Sequence, residues 1–175
     1  QSFEVYFAVP ETMEHKKVQL IIDAGAKYIR TPINRRGTNA LEDLKLIIKY
    51  ASILKKVNPD IVLTYTIKPN IYGSYAASIF NKPVIMNITG MGSSLTNFYL
   101  KNIVKQMYKW ACKKAQVIFF QNEFNRDFFI KNKMVDKDKA RLIPGSGVNI
   151  NKFTPLGKTN RDNITRFLFI GRIMK

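Results

Sequence analysis

Along the chain, short apolar runs alternate with longer amphipathic ones, and turn residues mark most of the changes. Phe3–Val9 alternates and then turns apolar, which predicts a first strand. From about Glu11 to Ala24, Val18, Ile21 and Ile22 share a helical face, and Gly25 is the residue type that stops a helix. Lys27–Thr31 predicts a short strand ending in a polar loop, Pro32–Gly37. Asn39 can cap a helix whose stripe is Leu41, Leu44, Ile47, Ile48, Ala51, Leu54 and Val57.

The stretch Pro59–Gly92 organises the rest. Ile61–Thr66 is apolar and β-branched without polar alternation, so it predicts a strand buried on both faces of a parallel sheet. Pro69 suits a first helical turn, where its missing N–H costs nothing. Ile71, Ser74, Tyr75, Ser78 and Ile79 then recur at helical spacing around Gly73, Ala76 and Ala77, small residues that let a helix lie close on a sheet. Val84–Ile88 is a second buried strand that runs into Thr89-Gly90-Met91-Gly92. The unit reads β-α-β. In open sheets of this kind ligands bind outside the carboxyl ends of the strands. Here those ends are Thr66–Pro69 and Asn87–Gly92.

A long helix is predicted to run through about Ala115, with Lys101, Lys105, Lys109 and Lys113 four apart on one face and Ile103, Val104, Met107, Tyr108 and Ala111 on the other side. Gln116–Gln121 is a further buried strand with Asn122 at its carboxyl end, followed by a short helix that turns Phe124, Phe128 and Phe129 inward. Arg141–Ile143 is the next strand and ends in the turn Gly145-Ser146-Gly147-Val148-Asn149. A polar stretch, 157–165, reads as a linker, and Arg166–Ile170 as a last strand with Gly171-Arg172 at its end. Strands alternating with helices predict an α/β fold, a Rossmann-like doubly wound parallel sheet of six or seven strands. Residues 1–156 form its domain, and 166–175 open a second one. The chain starts at Gln1 with a strand already in mid-fold, so the expectation is a fragment with residues missing before Gln1.

Charge changes this picture more than composition does. The chain carries 29 Lys+Arg against 12 Asp+Glu, a net +17. That excess favours nucleic acid, anionic membrane surfaces or phosphorylated ligands, and is also compatible with a merely solvated basic surface. The lysine stripe has the same two readings, a membrane-surface helix or the wet face of a core helix. Against a nucleic-acid module, the aromatics sit in apolar runs and do not alternate with basic residues. One cysteine, Cys112, excludes an internal disulfide and falls in a helical run, which assigns it to the structure. The one histidine, His15, has no partner at metal-ligand spacing and reads as a surface residue. No acid–base couple, nucleophile–base pair, dinucleotide fingerprint or Walker sequence is present. The Gly145–Gly147 turn has two readings, a structural turn or a ligand-binding one. Arg172, a guanidinium after a glycine at a strand end, suits bidentate phosphate binding or is a surface arginine.

Five segments in order, PDIVLTYTIKPNIYGSYAA, KPVIMNITGMG, VIFFQNEFNRDFF, LIPGSGVNINKFTP and FLFIGRIMK, resemble the bacterial family 4 (group 1) glycosyltransferases of capsule, O-antigen and lipid-linked glycan assembly. The resemblance implies a GT-B architecture, of which this chain would be the N-terminal, acceptor-side half, lacking that half's first strand, glycine loop and helix. It implies a retaining transfer of a sugar from a nucleotide-sugar donor, with no bound metal and no cofactor. Arg172, with Gly171, would contact the donor diphosphate. Thr66, Lys68, Asn87, Thr89, Gly90, Gly92 and Asn122 would line the acceptor-side cleft, and Gly145, Ser146, Gly147 and Asn149 the interdomain turn. Some relatives carry a histidine where this chain reads Thr89-Gly90, so no catalytic role is carried over there. The implied partners are a nucleotide sugar and a glycan or polyprenyl-diphosphate acceptor, and not nucleic acid. The implied place is cytoplasmic, peripheral on the inner membrane face through the basic side. The piece alone is expected to be inactive. The rival readings are a UDP-sugar 2-epimerase of the same architecture, a non-catalytic nucleic-acid-binding module and a non-catalytic accessory subunit.

Overall fold

The computed structural model describes residues 3–34, 39–90, 98–154, 166–168 and 170, without the side chains of 98–100. The chain groups into two compact units, Gln1–Gly145 and Ser146–Lys175. In the first unit the order is β1 (Tyr6–Val9), α1 (Lys16–Asp23), β2 (Lys27–Arg30), α2 (Ala40–Val57), β3 (Val62–Tyr65), a π turn (Pro69–Gly73) leading into α3 (Ser74–Ile79), β4 (Val84–Ile88), α4 (Phe98–Lys114), β5 (Val117–Phe120), α5 (Glu123–Lys131) and β6 (Ala140–Leu142). All strand pairs are parallel, and a helix separates each strand from the next. The α/β, Rossmann-like expectation therefore holds. The single sheet does not: β1 and β2 form a two-stranded ladder, and β3-β4-β5-β6 a separate four-stranded one.

Local chemistry sets the helix ends. The Asn39 side chain accepts the Leu41 N–H at 2.9 Å, and Asn58 ends α2 in the left-handed region at φ 49°. Glu42 and Asp43 in the first turn, with Lys55 and Lys56 in the last, complement the helix dipole. Gly25 follows α1 at φ 93°, which a side chain rarely adopts. His15 is more than a bystander, because its Nδ1 accepts the Lys17 N–H at 3.2 Å and caps α1. That cap starts the helix at Lys16 instead of Glu11, and Ile21 stays 43% exposed.

The core lies on β4 and β5. Val84, Met86 and Ile88 point one way from β4, and Ile118 and Phe120 from β5, all at most 1% exposed. Tyr108 of α4 and Phe129 of α5 close over them, with ring centroids 5.2 Å apart in an edge-on arrangement. Cys112 is buried beside them, and burial pushes its thiol up to about 12. Gly73 and Ala76 pack as the small residues predict: a Cβ on Gly73 would meet Thr64 Cγ2 at 3.2 Å.

Several faces differ from the pattern. β3 is an edge strand among the described residues, so Leu63 and Tyr65 are 56% and 51% exposed and only Thr64 is buried. Helix α2 turns Leu46 and Leu54 inward, leaving Leu41, Leu44 and Ile48 exposed, because its inner face carries Asp43 towards Lys68 and Tyr72. Tyr75 and Ile79 face outward, opposite the small residues of α3. Phe124 is exposed, and of its trio only Phe129 is fully buried. In the lysine stripe, Lys105 bends to α5, donating to Asn132 Oδ1 at 2.7 Å over the Phe128 ring.

In the second unit, Asn149 Oδ1 accepts the N–H groups of Asn151 and Lys152, both at 3.0 Å. Residues 166–168 are irregular and exposed, with no ladder, so the expected last strand is not formed by them. The expected linker lies outside the described residues.

Candidate functional site

Two stretches of the rim carry the polar chemistry. The first joins β3 to β4. Thr66, just past β3, adopts φ 67°, a strained conformation for a β-branched residue. Its carbonyl accepts the Asn70 N–H at 3.0 Å, and Asn70 Nδ2 donates to the Asn87 carbonyl at 3.0 Å. Asn70 thus ties the two strand ends together. Asn70 Oδ1 and Asn87 Oδ1 are buried without a hydrogen-bond partner among the described residues, and so retain accepting capacity at the rim. Tyr108 lies beneath. Burial pushes its phenol well above its ordinary range, against an opposing hydrogen bond with Asn70.

The second stretch is a cleft of about 620 Å³ at the carboxyl ends of β1 and β2. Pro10, Pro32, Ile33 and Asn34 form one side, the first half of α2 (Glu42, Asp43, Lys45, Leu46, Lys49) another, and Lys68 the third. Asp43 is its pivot. Its carboxylate accepts Lys68 Nζ at 2.6 Å on one oxygen and the Tyr72 hydroxyl at 2.7 Å on the other. The Lys68 and Asp43 side chains are only 13% and 16% exposed, so solvent screens this pair weakly. Burial first, then the Asp43 hydrogen bond, raises the Tyr72 phenol far enough to keep its proton. The Asn34 amide donates to Glu42 at 3.0 Å.

The rim offers fixed donors, acceptors and ammonium groups beside proline and isoleucine faces. This suits hydrogen-bonded recognition of a polar ligand and, among the described residues, supplies no proton-transfer couple. Of the expected cleft residues, Lys68 lines the cleft and Asn87 belongs to the first stretch with Thr66. Thr89 is exposed and Gly90 half-buried just past β4. Asn122 caps α5, its Oδ1 accepting the Asn125 N–H at 2.8 Å, so that oxygen already has a structural task. Gly145 and Gly147 take φ 84° and 66°, which accounts for both glycines by backbone shape. Gly92, Gly171 and Arg172 lie outside the described residues. Sequence reasoning missed Asp43, Asn70 and Tyr72. The spacing of Lys68 and Tyr72, one helical turn apart, was the available signal; their acceptor comes from a different helix. Among the described residues no group of three His, Cys, Asp or Glu gathers that could hold a metal.

A profile of glycosyl transferase 4-like proteins matches residues 2–122, which include both rim stretches. The chain belongs to the glycosyl transferase 4-like family. This family member is 28% identical over 163 residues to the N,N'-diacetylbacillosaminyl-diphospho-undecaprenol alpha-1,3-N-acetylgalactosaminyltransferase of Campylobacter jejuni, covering 87% of this chain and 41% of that protein. It is 31% identical over 140 residues to a UDP-Gal:alpha-D-GlcNAc-diphosphoundecaprenol alpha-1,3-galactosyltransferase of Escherichia coli, covering 77% and 35%. The chain thus spans well under half the length of these relatives. Among solved structures, it superposes on a glycosyltransferase from Rickettsia africae with a TM-score of 0.59 at 20% identity, over 86% of this chain and 37% of that one. It also superposes on a UDP-N-acetylglucosamine 2-epimerase with a TM-score of 0.53 at 20% identity, over 74% and 37%. Identities this low speak to the fold alone, and the epimerase likeness goes no further.

Proposed function

We propose that the full-length protein transfers a sugar, with retention, from a nucleotide-sugar donor to a polyprenyl-diphosphate-linked glycan in surface-polysaccharide assembly. The observation that carries this is the pair of curated relatives, whose names both specify transfer onto an undecaprenol-diphosphate-linked sugar. In this reading the glycosyl transferase 4-like chain supplies the acceptor side. The cleft bounded by Asp43 and Lys68 receives the acceptor's sugar, with Thr66, Asn87, Thr89 and Gly90 along the neighbouring rim; a role for Gly92 rests on its place in the sequence alone. Arg172 stabilises the departing donor diphosphate through a bidentate contact; that role rests on its sequence context alone. No metal and no cofactor takes part, and the protein works at the cytoplasmic face of the membrane, where such acceptors are presented.

The test is transfer by the full-length protein in membranes or detergent, from labelled UDP- and GDP-sugars to a lipid-extract acceptor, with and without EDTA. EDTA-insensitive labelling of the lipid fraction, lost on Arg172→Ala, is the expected result. Absence of transfer from every donor by a folded protein, together with interconversion of a UDP-sugar, would move the assignment to an epimerase.

A further inference from the structure

We propose that a hollow at the amino ends of β4 and β5, at the end of the sheet opposite the rim, binds a small soluble phosphate monoester that also carries hydroxyl groups. The hollow has about 260 Å³ and is lined by Ser74 and Ser78 of α3, by Lys82 and Lys114, by Val84 where β4 opens and by Gln116 just before β5. No carboxylate lines it. Between Asp60 and Glu123 the sequence contains no Asp or Glu at all. Neither the Lys82 nor the Lys114 ammonium forms an ion pair among the described residues.

Ser74 points to a ligand. Its side chain is 0% exposed, and its Oγ has no hydrogen-bond partner among the described residues. A buried hydroxyl left unpaired is destabilising until something arrives to pair with it. The Ser74 N–H is already bonded to the Ile71 carbonyl, so the hydroxyl is what the hollow is offered. Nor are the two lysines needed by the helix ends, where cations commonly answer the last carbonyls. Lys139 Nζ donates to the Lys113 and Ala115 carbonyls at 3.0 and 2.9 Å. The N–H groups of Phe80, Asn81 and Lys82 take the carbonyls of Ala77 and Ser78. The Lys114 ammonium lies 5.8 Å from the Trp110 ring centroid, a contact that leaves its hydrogen-bonding capacity free.

A phosphate monoester carries about two negative charges and three accepting oxygens. It matches two ammonium groups and one hydroxyl donor, whereas a monocarboxylate would leave one ammonium unanswered. Ser78 sets the remainder of the ligand. Its hydroxyl donates to the Tyr75 carbonyl at 2.8 Å, so its oxygen is left to accept from a ligand hydroxyl. The volume lies below the roughly 300–1,000 Å³ of sites for drug-sized molecules. A nucleotide sugar is therefore too large, and a sugar monophosphate is the class that fits.

The inference does not rest on the transferase reading, because this site needs neither donor nor acceptor. Trp110 is the chain's one tryptophan and Lys114 lies against it, so its fluorescence senses a ligand that draws that ammonium away. The chain is titrated with inorganic phosphate, glucose 1-phosphate and glucose, and the same titrations are followed by calorimetry on the full-length protein. Saturable binding of both phosphates, weakened by salt, and none of glucose is expected. Glucose 1-phosphate should bind about fivefold more tightly than inorganic phosphate, and Ser78→Ala should remove that difference. Lys82→Met should weaken both by about tenfold or more. Ser74→Ala should weaken both by about fivefold without lowering the Tm, a combination that a purely structural serine would not give. Lys45→Met, in the rim cleft, should leave binding unchanged. Binding lost with Lys45→Met and kept with Lys82→Met would place the anion at the rim and overturn the proposal. So would the lack of any saturable response, or attachment to phosphatidylglycerol vesicles with none to the soluble phosphates.

Discussion

Asp43 is the residue whose loss should be felt most at the candidate site. Asp43→Ala leaves the Lys68 ammonium, on a side chain only 13% exposed, without its counter-charge, and deprives the Tyr72 hydroxyl of its acceptor. Removing one partner of a fully buried pair costs about 3–5 kcal/mol. Residual exposure at both groups lets water recover part of that, so about 3 kcal/mol is the working figure. For a chain of this size that corresponds to a fall in Tm of about 6–12 °C, or a shift of about 1.5 M in the urea midpoint at unchanged slope. The substitution also removes a carboxylate from the first turn of α2, worth about 0.3–1 kcal/mol through the dipole. A double-mutant cycle with Lys68→Met separates the two, because the dipole contribution cancels in the coupling. The double variant should lose at least about 1.5 kcal/mol less than the sum of the single ones. Urea unfolding followed by circular dichroism reads all four states. A single-variant loss below about 0.5 kcal/mol with additive energies is the behaviour of a solvated surface pair, and would refute the argument that this pair fixes Lys68 in the cleft.

Three further outcomes follow from local geometry. Gly73→Ala should destabilise by about 1 kcal/mol, because its Cβ meets Thr64 Cγ2 at 3.2 Å, and Thr64→Ser, which lacks that methyl, should recover most of the loss in thermal melts. The Cys112 thiol should resist a disulfide reagent at pH 8 until urea unfolds the chain. Its ordinary value of 9.0 is raised to about 12 in the fold, so its contribution to stability is complete below pH 9 and is lost as the pH rises from there through 12. Denaturation across that window, compared with Cys112→Ala, checks the sign. Asn122→Ala should cost about 1 kcal/mol as a lost cap, with transfer by the full-length protein unchanged at a temperature where the variant is folded. A fall in transfer there would assign Asn122 a place on the acceptor as well.

The sequence by itself determined the order of elements and many of their ends. Asn39 and Gly25 act within a few residues of themselves, so their capping roles are local chemistry and legible without a fold. The same holds for β4, whose alternating buried residues, Val84, Met86 and Ile88, come from a mostly apolar run. The motif series also carried the family, which the profile match then showed. Tertiary structure decided what depends on neighbours distant in the chain. An apolar run predicts a strand but not its place in the sheet, and β3 became an edge with Leu63 and Tyr65 exposed. The stripe read on α2, Leu41 to Val57, was only partly right; packing turned inward a face rotated from it, through Asp43, Leu46 and Leu54, where Lys68 and Tyr72 meet the carboxylate. Asp43 and Lys68 are 25 residues apart, and no periodicity within either segment records that they meet. The pairing of Tyr75 with Trp110 is of the same kind. Periodicity and capping are interactions within a turn or two of backbone, whereas a cleft is made where separate elements come together.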